Sequence, residues 1–312
     1  MVTFKEGLAL GRVFILDGAM GTELERRGVP MHTKAWSAAS LITHPDLVRQ
    51  IHREYIEEGA DVIVTNTFAA SRNILDEAGL GDRVYEVNAL AVELAKEARN
   101  QVAKDDVLIA GSMSAMGGRT PTKYQAIANY QEQAFVLAEA GVDLIILETM
   151  RDLEHTGYAL NAASSTGIPI WVGFQCKTED DSDTVLLRGF RPGRGGVVGD
   201  PDISLEQGLQ FLLGKGGVDL VAIMHTTPED TTAALKTVVR NWSGPVGAYP
   251  HSGDFTMPNW DFQNILSCED LLNIVREWVS IGVQVVGGCC GIGPEHIRTL
   301  KQALPLYAPG RT

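Results

Sequence analysis

The 312-residue sequence predicts an α/β protein built as a single (β/α)8 TIM barrel. Eight short apolar runs recur along the chain, and the segments between them carry apolar residues at helical spacing. Uninterrupted apolar runs are typical of parallel strands that are buried on both faces. An open doubly wound sheet is the alternative, but no strand is followed by the G-x-G-x-x-G fingerprint found in many such sheets.

The predicted strands are separated by amphipathic segments. Among these segments, residues 46–59, 83–102 and 125–141 show the clearest apolar spacing of three and four. Glycines lead directly from such segments into the next apolar run in EEGADVI, EAGVDLI, GKGGVDLV and SIGVQVV, as expected for helix C-caps. The strands are predicted at residues 13–21, 61–68, 107–114, 142–150, 169–176, 218–227, 245–253 and 283–291.

The composition fits one soluble domain spanning residues 1–312. Hydrophobic residues make up 45% of the chain and charged residues 21%, which is sufficient for one large core. A formal net charge of -13 would repel nucleic acid and anionic lipid, and the cluster Arg188, Arg191 and Arg194 is too small to reverse it. The chain has no apolar run of about 18 residues, so neither nucleic acid nor a membrane is an expected partner.

The cysteine content predicts a reducing compartment. Only four cysteines occur, at positions 176, 268, 289 and 290, too few for a secreted disulfide framework in a chain of this length. The first residues mix charged with apolar positions and predict no signal peptide. We therefore expect a cytoplasmic protein, and the sequence leaves open whether it forms a homo-oligomer.

Polar residues at the strand ends are the candidates for function. The carboxyl ends of barrel strands surround one mouth, where the active sites of such barrels lie. A polar, glycine-rich stretch at about 178–204 is predicted as a long loop over this mouth, acting either as a lid or as a tolerated insertion. The strand-end candidates are Asp17, Asn66, Ser112, Glu148, Cys176, His225, His251, Cys289 and Cys290.

The adjacent pair Cys289 and Cys290 follows the last strand, in VVGGCCGIGPEHI. Neighbouring residues of a regular strand point to opposite faces, so both thiols can meet one target only where the strand ends. The surrounding glycines permit such a change of backbone direction. A disulfide between neighbours would be strained, which leaves two interpretations: a soft metal such as zinc, or two small buried residues.

A catalytic zinc ion usually has three protein ligands and one open position. His225, at the end of the sixth strand, is the best candidate for the third ligand. Cys176, at the end of the fifth strand, competes with it, and either residue could instead have a packing or orienting role.

The remaining strand-end residues suggest a site for a small charged molecule. Glu148 ends a fully apolar strand, where a buried carboxylate is costly without a cation such as a substrate ammonium. Asp17 and Gly18 lie at a glycine-rich turn whose amides could meet a carboxylate, although Asp17 could also simply cap the turn. Asn66 and Thr67 are either substrate contacts or polar residues that close the barrel rim.

The motifs LDGAMGTELERRG, HPDLVRQIHREYIEEGADVIVTNTF, LETM and GGCCGIGPEHI resemble the homocysteine S-methyltransferase family. That family includes betaine-homocysteine methyltransferase and the homocysteine module of cobalamin-dependent methionine synthase, and the resemblance covers about residues 12–303. It implies a barrel whose zinc binds and deprotonates the homocysteine thiol, which then takes a methyl group to give methionine. A free thiol, with a pKa near 8.5, is mostly protonated at pH 7.

By this resemblance, Cys289 and Cys290 match two zinc ligands, and Asp17, Gly18 and Glu148 match positions that hold the amino acid part of homocysteine. Asn66 remains a candidate beside them.

Two positions depart from the family pattern. AIMHTTPE carries His225 where the family has a cysteine, and YPHSG carries His251 where the family has an asparagine. A zinc site with two cysteines and one histidine is an accepted type, but it is neutral, whereas three thiolates leave one negative charge. The sulfur in a neutral site is less electron-rich, so we expect a donor with a good leaving group, such as a sulfonium or a methyl-corrinoid.

The sequence narrows the range of candidate methyl donors without identifying one. Ala69 lies where the betaine enzymes carry a tyrosine, which argues against betaine, and Trp36 either contributes to a donor pocket or packs. The candidate donors are S-methylmethionine and a separate methyl-corrinoid protein. Two other functions stay open: a barrel lyase or hydrolase with a zinc-activated water, and a non-catalytic thiol-binding partner of a corrinoid protein.

Overall fold

The computed structural model describes residues 3–116, 122–179, 184–187, 203–256 and 259–310. Its strands are β1 (Phe14–Ile15), β2 (Val62–Val64), β3 (Leu108–Ser114), β4 (Leu144–Met150), β5 (Ile170–Phe174), β6 (Cys176–Thr178), β7 (Val185–Leu187), β8 (Leu220–Met224), β9 (Val246–Tyr249), β10 (Asp254–Thr256), β11 (Asn259–Asp261) and β12 (Val285–Val286).

Eight of these strands form one parallel sheet in the order β1-β12-β9-β8-β5-β4-β3-β2. The sheet closes between its two edges, where Leu16 forms a parallel bridge to Val62 and the Asp17 N–H donates to the Val62 carbonyl at 2.9 Å. Helices alternate with the strands, so the predicted (β/α)8 barrel is confirmed.

The helices follow the predicted amphipathic segments closely. In the described residues they are α1 (Phe4–Ala9), α2 (Met20–Arg26), α3 (Ser40–Thr43), α4 (Pro45–Glu57), α5 (Arg72–Glu77), α6 (Val84–Val102), α7 (Lys123–Ala140), α8 (Leu153–Ser164), α9 (Leu205–Lys215), α10 (Pro228–Asn241), α11 (Cys268–Ser280) and α12 (Pro294–Ala303). None of them combines the length and apolar character needed to cross a membrane. The glycines predicted as C-caps have positive φ, for example 104° at Gly59 and 80° at Gly141.

The barrel interior changes from aromatic at its amino end to polar at its carboxyl end. Phe4 lies at the amino end, with its ring centroid 4.1 Å from that of Phe14 and 5.6 Å from that of Trp171. At the other end of the strands, Ser112 and Glu148 are buried side chains of β3 and β4. The apolar filling therefore closes one end of the barrel, and the polar residues collect at the mouth.

Aspartates of the repeated glycine-x-aspartate motif join neighbouring strands at the amino end. Each aspartate directly precedes a strand, and its carboxylate accepts a hydrogen bond from a backbone N–H of the adjacent strand. This explains why the motif recurs: a carboxylate satisfies an amide that the parallel ladder leaves unpaired. The pairs are Asp61 with Ile15 at 2.8 Å, Asp143 with Ile109 at 2.8 Å and Asp219 with Ile170 at 3.0 Å.

The stretch predicted as a loop at 178–204 contains part of a hairpin that the sequence did not predict. Strand β6 pairs antiparallel with β7, and Cys176 lies opposite Leu187 in this ladder. Residues 180–183 and 188–202, with the arginine cluster at 188, 191 and 194, lie outside the described residues. The predicted lid over the mouth falls largely within these ranges.

Candidate metal and substrate site

The structure brings His225, Cys289 and Cys290 together at the barrel mouth. One ligand atom from each residue lies within 4.8 Å of the other two. Sγ of Cys289 is 3.4 Å from Nδ1 of His225 and 3.9 Å from Sγ of Cys290. These side chains follow β8 and β12, which lie on either side of β9 in the barrel.

The two separations measured from Sγ of Cys289 are compatible with a tetrahedral zinc ion. With Zn–S of about 2.3 Å and Zn–N of about 2.0 Å, two sulfurs would lie about 3.8 Å apart, and a sulfur and a nitrogen about 3.5 Å apart. The observed 3.9 Å and 3.4 Å match these separations. A hydrogen bond with Cys290, followed by burial, raises the pKa of the Cys289 thiol well above its usual value. A cation beside Cys289 would oppose this shift and favour the thiolate form of that residue.

Glycines and backbone hydrogen bonds place the two cysteines on one side of the chain. Gly291 has φ of 83°, and a Cβ atom there would lie 2.0 Å from the carbonyl oxygen of Ser252. The Cys289 N–H donates to the Pro250 carbonyl at 2.8 Å, and the Ser252 N–H donates to the Cys290 carbonyl at 2.8 Å. Strand β12 has ended before Cys289, so the alternation of a regular strand no longer separates the two thiols.

Cys176 does not belong to this cluster. It lies on β6, is 2% exposed, and donates its backbone N–H to Oγ1 of Thr226 at 3.0 Å. Burial raises the pKa of its thiol far above the usual value. Among the described residues, the geometry thus favours His225 over Cys176 as the third member, and Cys176 has the packing environment that was its alternative interpretation.

Asp17 and Glu148 place two carboxyl groups deep in the mouth. Asp17 is 2% exposed and Glu148 is 7% exposed. Oδ2 of Asp17 accepts a hydrogen bond from the Val64 N–H at 2.9 Å, and the Ser112 hydroxyl donates to Oε2 of Glu148. Burial raises the pKa of both carboxyls, and the charge of Glu148 raises that of Asp17 further. A cation bound beside them would favour ionisation of both.

Tyr249 is a residue of the mouth that sequence reasoning did not single out. Burial raises the pKa of its hydroxyl well above the usual value, followed by the negative charges of Glu148 and Cys289. The hydroxyl therefore lies near both the carboxyl pair and Cys289. Gly173 leaves the space for it, because a Cβ there would be 2.7 Å from the Tyr249 oxygen. The only sequence signal was the position of Tyr249 at the end of the seventh apolar run.

Gly18 and Asn66 have clear structural surroundings. A Cβ atom at Gly18 would lie 2.4 Å from the carbonyl oxygen of Ile292, so only glycine fits between these segments. Ser37 donates to Oδ1 of Asn66 at 2.8 Å, and Nδ2 of Asn66 donates to the Ser37 carbonyl at 3.0 Å and to Oγ of Ser40 at 3.2 Å. These bonds agree with the interpretation of Asn66 as a polar residue that closes the rim, and its contact with substrate stays a prediction.

His251 lies beside His225, together with an aromatic residue from the β10–β11 hairpin. The ring centroids of His225 and His251 are 4.9 Å apart, and Trp260 lies 5.8 Å from His251 in an edge-to-face arrangement. Trp260 is only 7% exposed. The sequence indicated His251 as a strand-end residue, whereas nothing in it connected Trp260 to the site.

Taken together, the barrel and its mouth define a protein that can hold a thiolate-binding metal beside two buried carboxyl groups. The chain belongs to the homocysteine S-methyltransferase family, whose family model matches residues 14–304. The selenocysteine methyltransferase of Astragalus bisulcatus is 30% identical over 94% of this chain and 93% of its own length. Homocysteine S-methyltransferase 2 of Zea mays is also 30% identical, over 95% of this chain and 91% of its own length.

Solved structures support the same fold. The metallated form of the homocysteine methyltransferase MmuM from Escherichia coli superposes with a TM-score of 0.76. The alignment covers 94% of this chain and 96% of that protein, at 24% sequence identity. At that identity, the similarity establishes the barrel architecture and leaves the ligands of this chain to be argued from its own residues.

Proposed function

We propose that this chain is a zinc-dependent methyltransferase that moves a methyl group from a small-molecule or corrinoid donor to the thiol of homocysteine, giving methionine. The observation that carries the proposal is the cluster of His225, Cys289 and Cys290 beside the buried carboxyls of Asp17 and Glu148. Membership of the homocysteine S-methyltransferase family supports the same acceptor.

His225, Cys289 and Cys290 would hold the zinc ion through one nitrogen and two sulfurs. Bound there, zinc would supply the Lewis acidity that converts a thiol to a thiolate at neutral pH. Cys289 is partly exposed and Cys290 is buried, so the cluster faces the mouth on one side and the core on the other.

Glu148 and Asp17 would hold the ammonium group of homocysteine. Both carboxyls are nearly fully buried, and they accept hydrogen bonds from neutral groups, the Val64 N–H and the Ser112 hydroxyl. An ammonium placed against them would lower the pKa of both groups and offset the cost of burying their charge. The Ser112 hydroxyl fixes the direction of the Glu148 carboxylate, and the turn at Gly18 would receive the substrate carboxylate.

The charge of the ligand set favours a donor with a good leaving group. Two thiolates and a neutral imidazole neutralise Zn²⁺, so the acceptor sulfur is less electron-rich than in a site with three thiolates. We therefore propose a sulfonium, S-methylmethionine, or a methyl-corrinoid protein as donor. Ala69 is 1% exposed and leaves no tyrosine hydroxyl at the position where betaine enzymes carry one. Trp36, which packs edge-on to Phe68 at 6.3 Å, is proposed as one wall of the donor pocket.

We further propose that residues 1–312 act as one homocysteine-binding domain in a reducing compartment such as the cytoplasm. Two free thiols that lie 3.9 Å apart need such a compartment to remain available as ligands.

The first test is metal content combined with X-ray absorption, with and without homocysteine. We expect one zinc per chain bound by two sulfurs and one nitrogen, and a third sulfur after homocysteine is added. A donor panel of S-methylmethionine, betaine and methylcobalamin would then identify the methyl source. Absence of zinc, or an unchanged ligand set with homocysteine, would refute the proposed function.

A further inference from the structure

His225 has an unusual backbone for a metal-binding side chain. Its φ is 44°, in the left-handed region that costs a non-glycine residue roughly 1 kcal/mol or more. The residue directly follows β8, where the regular ladder ends. Such a conformation persists only if the surrounding structure holds it, so the contacts of His225 identify what fixes its position.

Two hydrogen bonds hold the backbone of His225. Its N–H donates to the carbonyl of Tyr249 at 3.2 Å, which extends the β8–β9 ladder by one bond. Its carbonyl accepts a hydrogen bond from Nε2 of Gln175 at 3.0 Å. Gln175 is 2% exposed, so this bond is shielded from water. These bonds set where the Cα–Cβ bond of His225 points, but they do not fix the imidazole ring.

The ring contacts Sγ of Cys289 through Nδ1 and packs against aromatic neighbours. The second side-chain torsion of histidine has a broad energy profile, so rotamer preference alone does not aim Nδ1 at a metal. The His251 ring lies 4.9 Å from the His225 ring, with an angle of 48° between the ring planes. Trp260 lies 6.2 Å from His225 and 5.8 Å from His251, so the three rings contact one another.

Trp260 is itself held rigidly. Its indole N–H donates to the carbonyl of Ser252 at 3.0 Å, and its backbone N–H is 3.1 Å from each carboxylate oxygen of Glu25. The His251 N–H also donates to the carbonyl of Thr226 at 3.2 Å, which joins the loop after β9 to the loop after β8. The aromatic support behind His225 is therefore anchored to three separate segments of the mouth.

We propose that His251, backed by Trp260, is a positioning residue that holds the His225 imidazole toward the two thiols. The inference rests on the proposed function, since it assigns a role toward the same metal. Hydrogen-bonded groups that orient a metal ligand typically change metal affinity or activity 10–100-fold when they are removed, and we expect the lower end of this range for a ring contact. A replacement that removes the ring at position 251 frees the His225 imidazole to rotate and weakens metal binding without removing any ligand.

The test compares His251→Ala with His251→Phe, which keeps a ring at this position, and with His44→Ala as a control at an exposed histidine. Zinc affinity is measured by competition with a chromophoric chelator, and the geometry is followed by the visible spectrum of the cobalt(II)-substituted proteins. We expect about tenfold weaker zinc binding and a shifted cobalt spectrum for His251→Ala. The zinc affinity of His251→Phe should stay within about threefold of that of the parent. The zinc affinity of His44→Ala should equal that of the parent.

The possible results distinguish the positioning role of His251 from the proposed function. Zinc affinity and cobalt spectra that are the same for His251→Ala and the parent would overturn the positioning role, as would equal losses in the Ala and Phe variants. A parent protein that binds no zinc would overturn the proposed function and this inference with it. Thermal unfolding of the metal-free variants checks that each one folds. If His251→Ala does not fold, His251→Phe can still be compared with the parent.

Discussion

The hydroxyl of Ser112 on β3 donates a hydrogen bond to Oε2 of Glu148 on the neighbouring β4. This bond lowers the pKa of Glu148 against the larger, opposing effect of burial. Ser112 therefore helps to keep the carboxylate charged and correctly directed at the position proposed for the substrate ammonium.

Replacing Ser112 with alanine should weaken homocysteine binding. Loss of the bond raises the pKa of Glu148, so less of the carboxyl group is ionised when the ammonium arrives. A hydrogen bond to a charged group contributes roughly 1.5–3 kcal/mol, so we expect KM for homocysteine to rise about tenfold or more while kcat changes little. Steady-state kinetics measure this, with Ser165→Ala as the control because Ser165 directly follows α8 and is exposed. An unchanged KM would remove Ser112 from the substrate site.

Replacing Glu148 with glutamine should have opposite effects on stability and binding. A buried carboxyl with a raised pKa costs stability as the pH rises through that pKa, because ionisation is then opposed in the folded state. The amide removes this cost, so the substrate-free variant should melt higher than the parent at pH 8. It should also lose the rise in melting temperature that homocysteine gives the parent. The exposed Glu57→Gln change is the control, and a variant still stabilised by homocysteine would contradict the assignment.

The buried His52 should make the folded protein less stable in mild acid. Its side chain is fully buried on α4, neither ring nitrogen has a hydrogen-bond partner in the described parts of the chain, and burial lowers its pKa from 6.5 to about 4. Between pH 6.5 and about pH 4, His52 is therefore protonated in the unfolded chain and neutral in the folded chain. Stability falls as the pH drops from about 6.5 towards about 4, by up to about 3 kcal/mol from this group.

Urea unfolding of the parent and of His52→Leu at pH 7.5 and pH 5 measures this effect. The leucine variant should lose less stability between the two pH values than the parent does. His44→Leu, at an exposed histidine, should behave like the parent. Equal pH dependence of His52→Leu and the parent would show that other groups cause the acid sensitivity.

Gly291→Ala should disturb the metal cluster, and Gly28→Ala provides a matched control. Both glycines have positive φ, 83° and 85°, so both substitutions carry a similar backbone strain. A Cβ at Gly291 would lie 2.0 Å from the Ser252 carbonyl oxygen, whereas a Cβ at Gly28 would have nothing within 4 Å.

We expect Gly291→Ala to be less stable than Gly28→Ala by more than about 1 kcal/mol and to bind less zinc, because Cys290 must move. Calorimetry and metal analysis of the two variants would decide this. Equal stability and equal zinc content in both would mean that the turn after Cys290 is not needed for the cluster.

The sequence predicted the barrel and most of the mouth because its strongest signals are local. The apolar run before Glu148 and the glycines before Cys289 are readable along the chain, and so is the position of His225 at a strand end. A barrel places all strand ends around one opening, so local signals translated directly into proximity in space. The choice between His225 and Cys176, by contrast, required coordinates, because both residues end adjacent strands.

Contacts between distant segments were not predictable in this way. Tyr249 reaches the carboxyl pair only because Gly173 on another strand leaves room for its hydroxyl. Trp260 lies beside His225 through a short hairpin whose path is set by Glu25 on α2. Asn66 appeared as a substrate contact or a rim residue with equal support, and its bonds to Ser37 and Ser40 became visible only in the folded chain.

The aspartate pairs that join the strands lie at the amino end of the barrel, opposite His225, Cys289 and Cys290. Stability and chemistry are thereby assigned to opposite ends of the same strands. A change of side chain at the mouth leaves the carboxylate-to-amide bonds of Asp61, Asp143 and Asp219 untouched. Side chains at the mouth can therefore be exchanged while the framework that closes the cylinder stays the same.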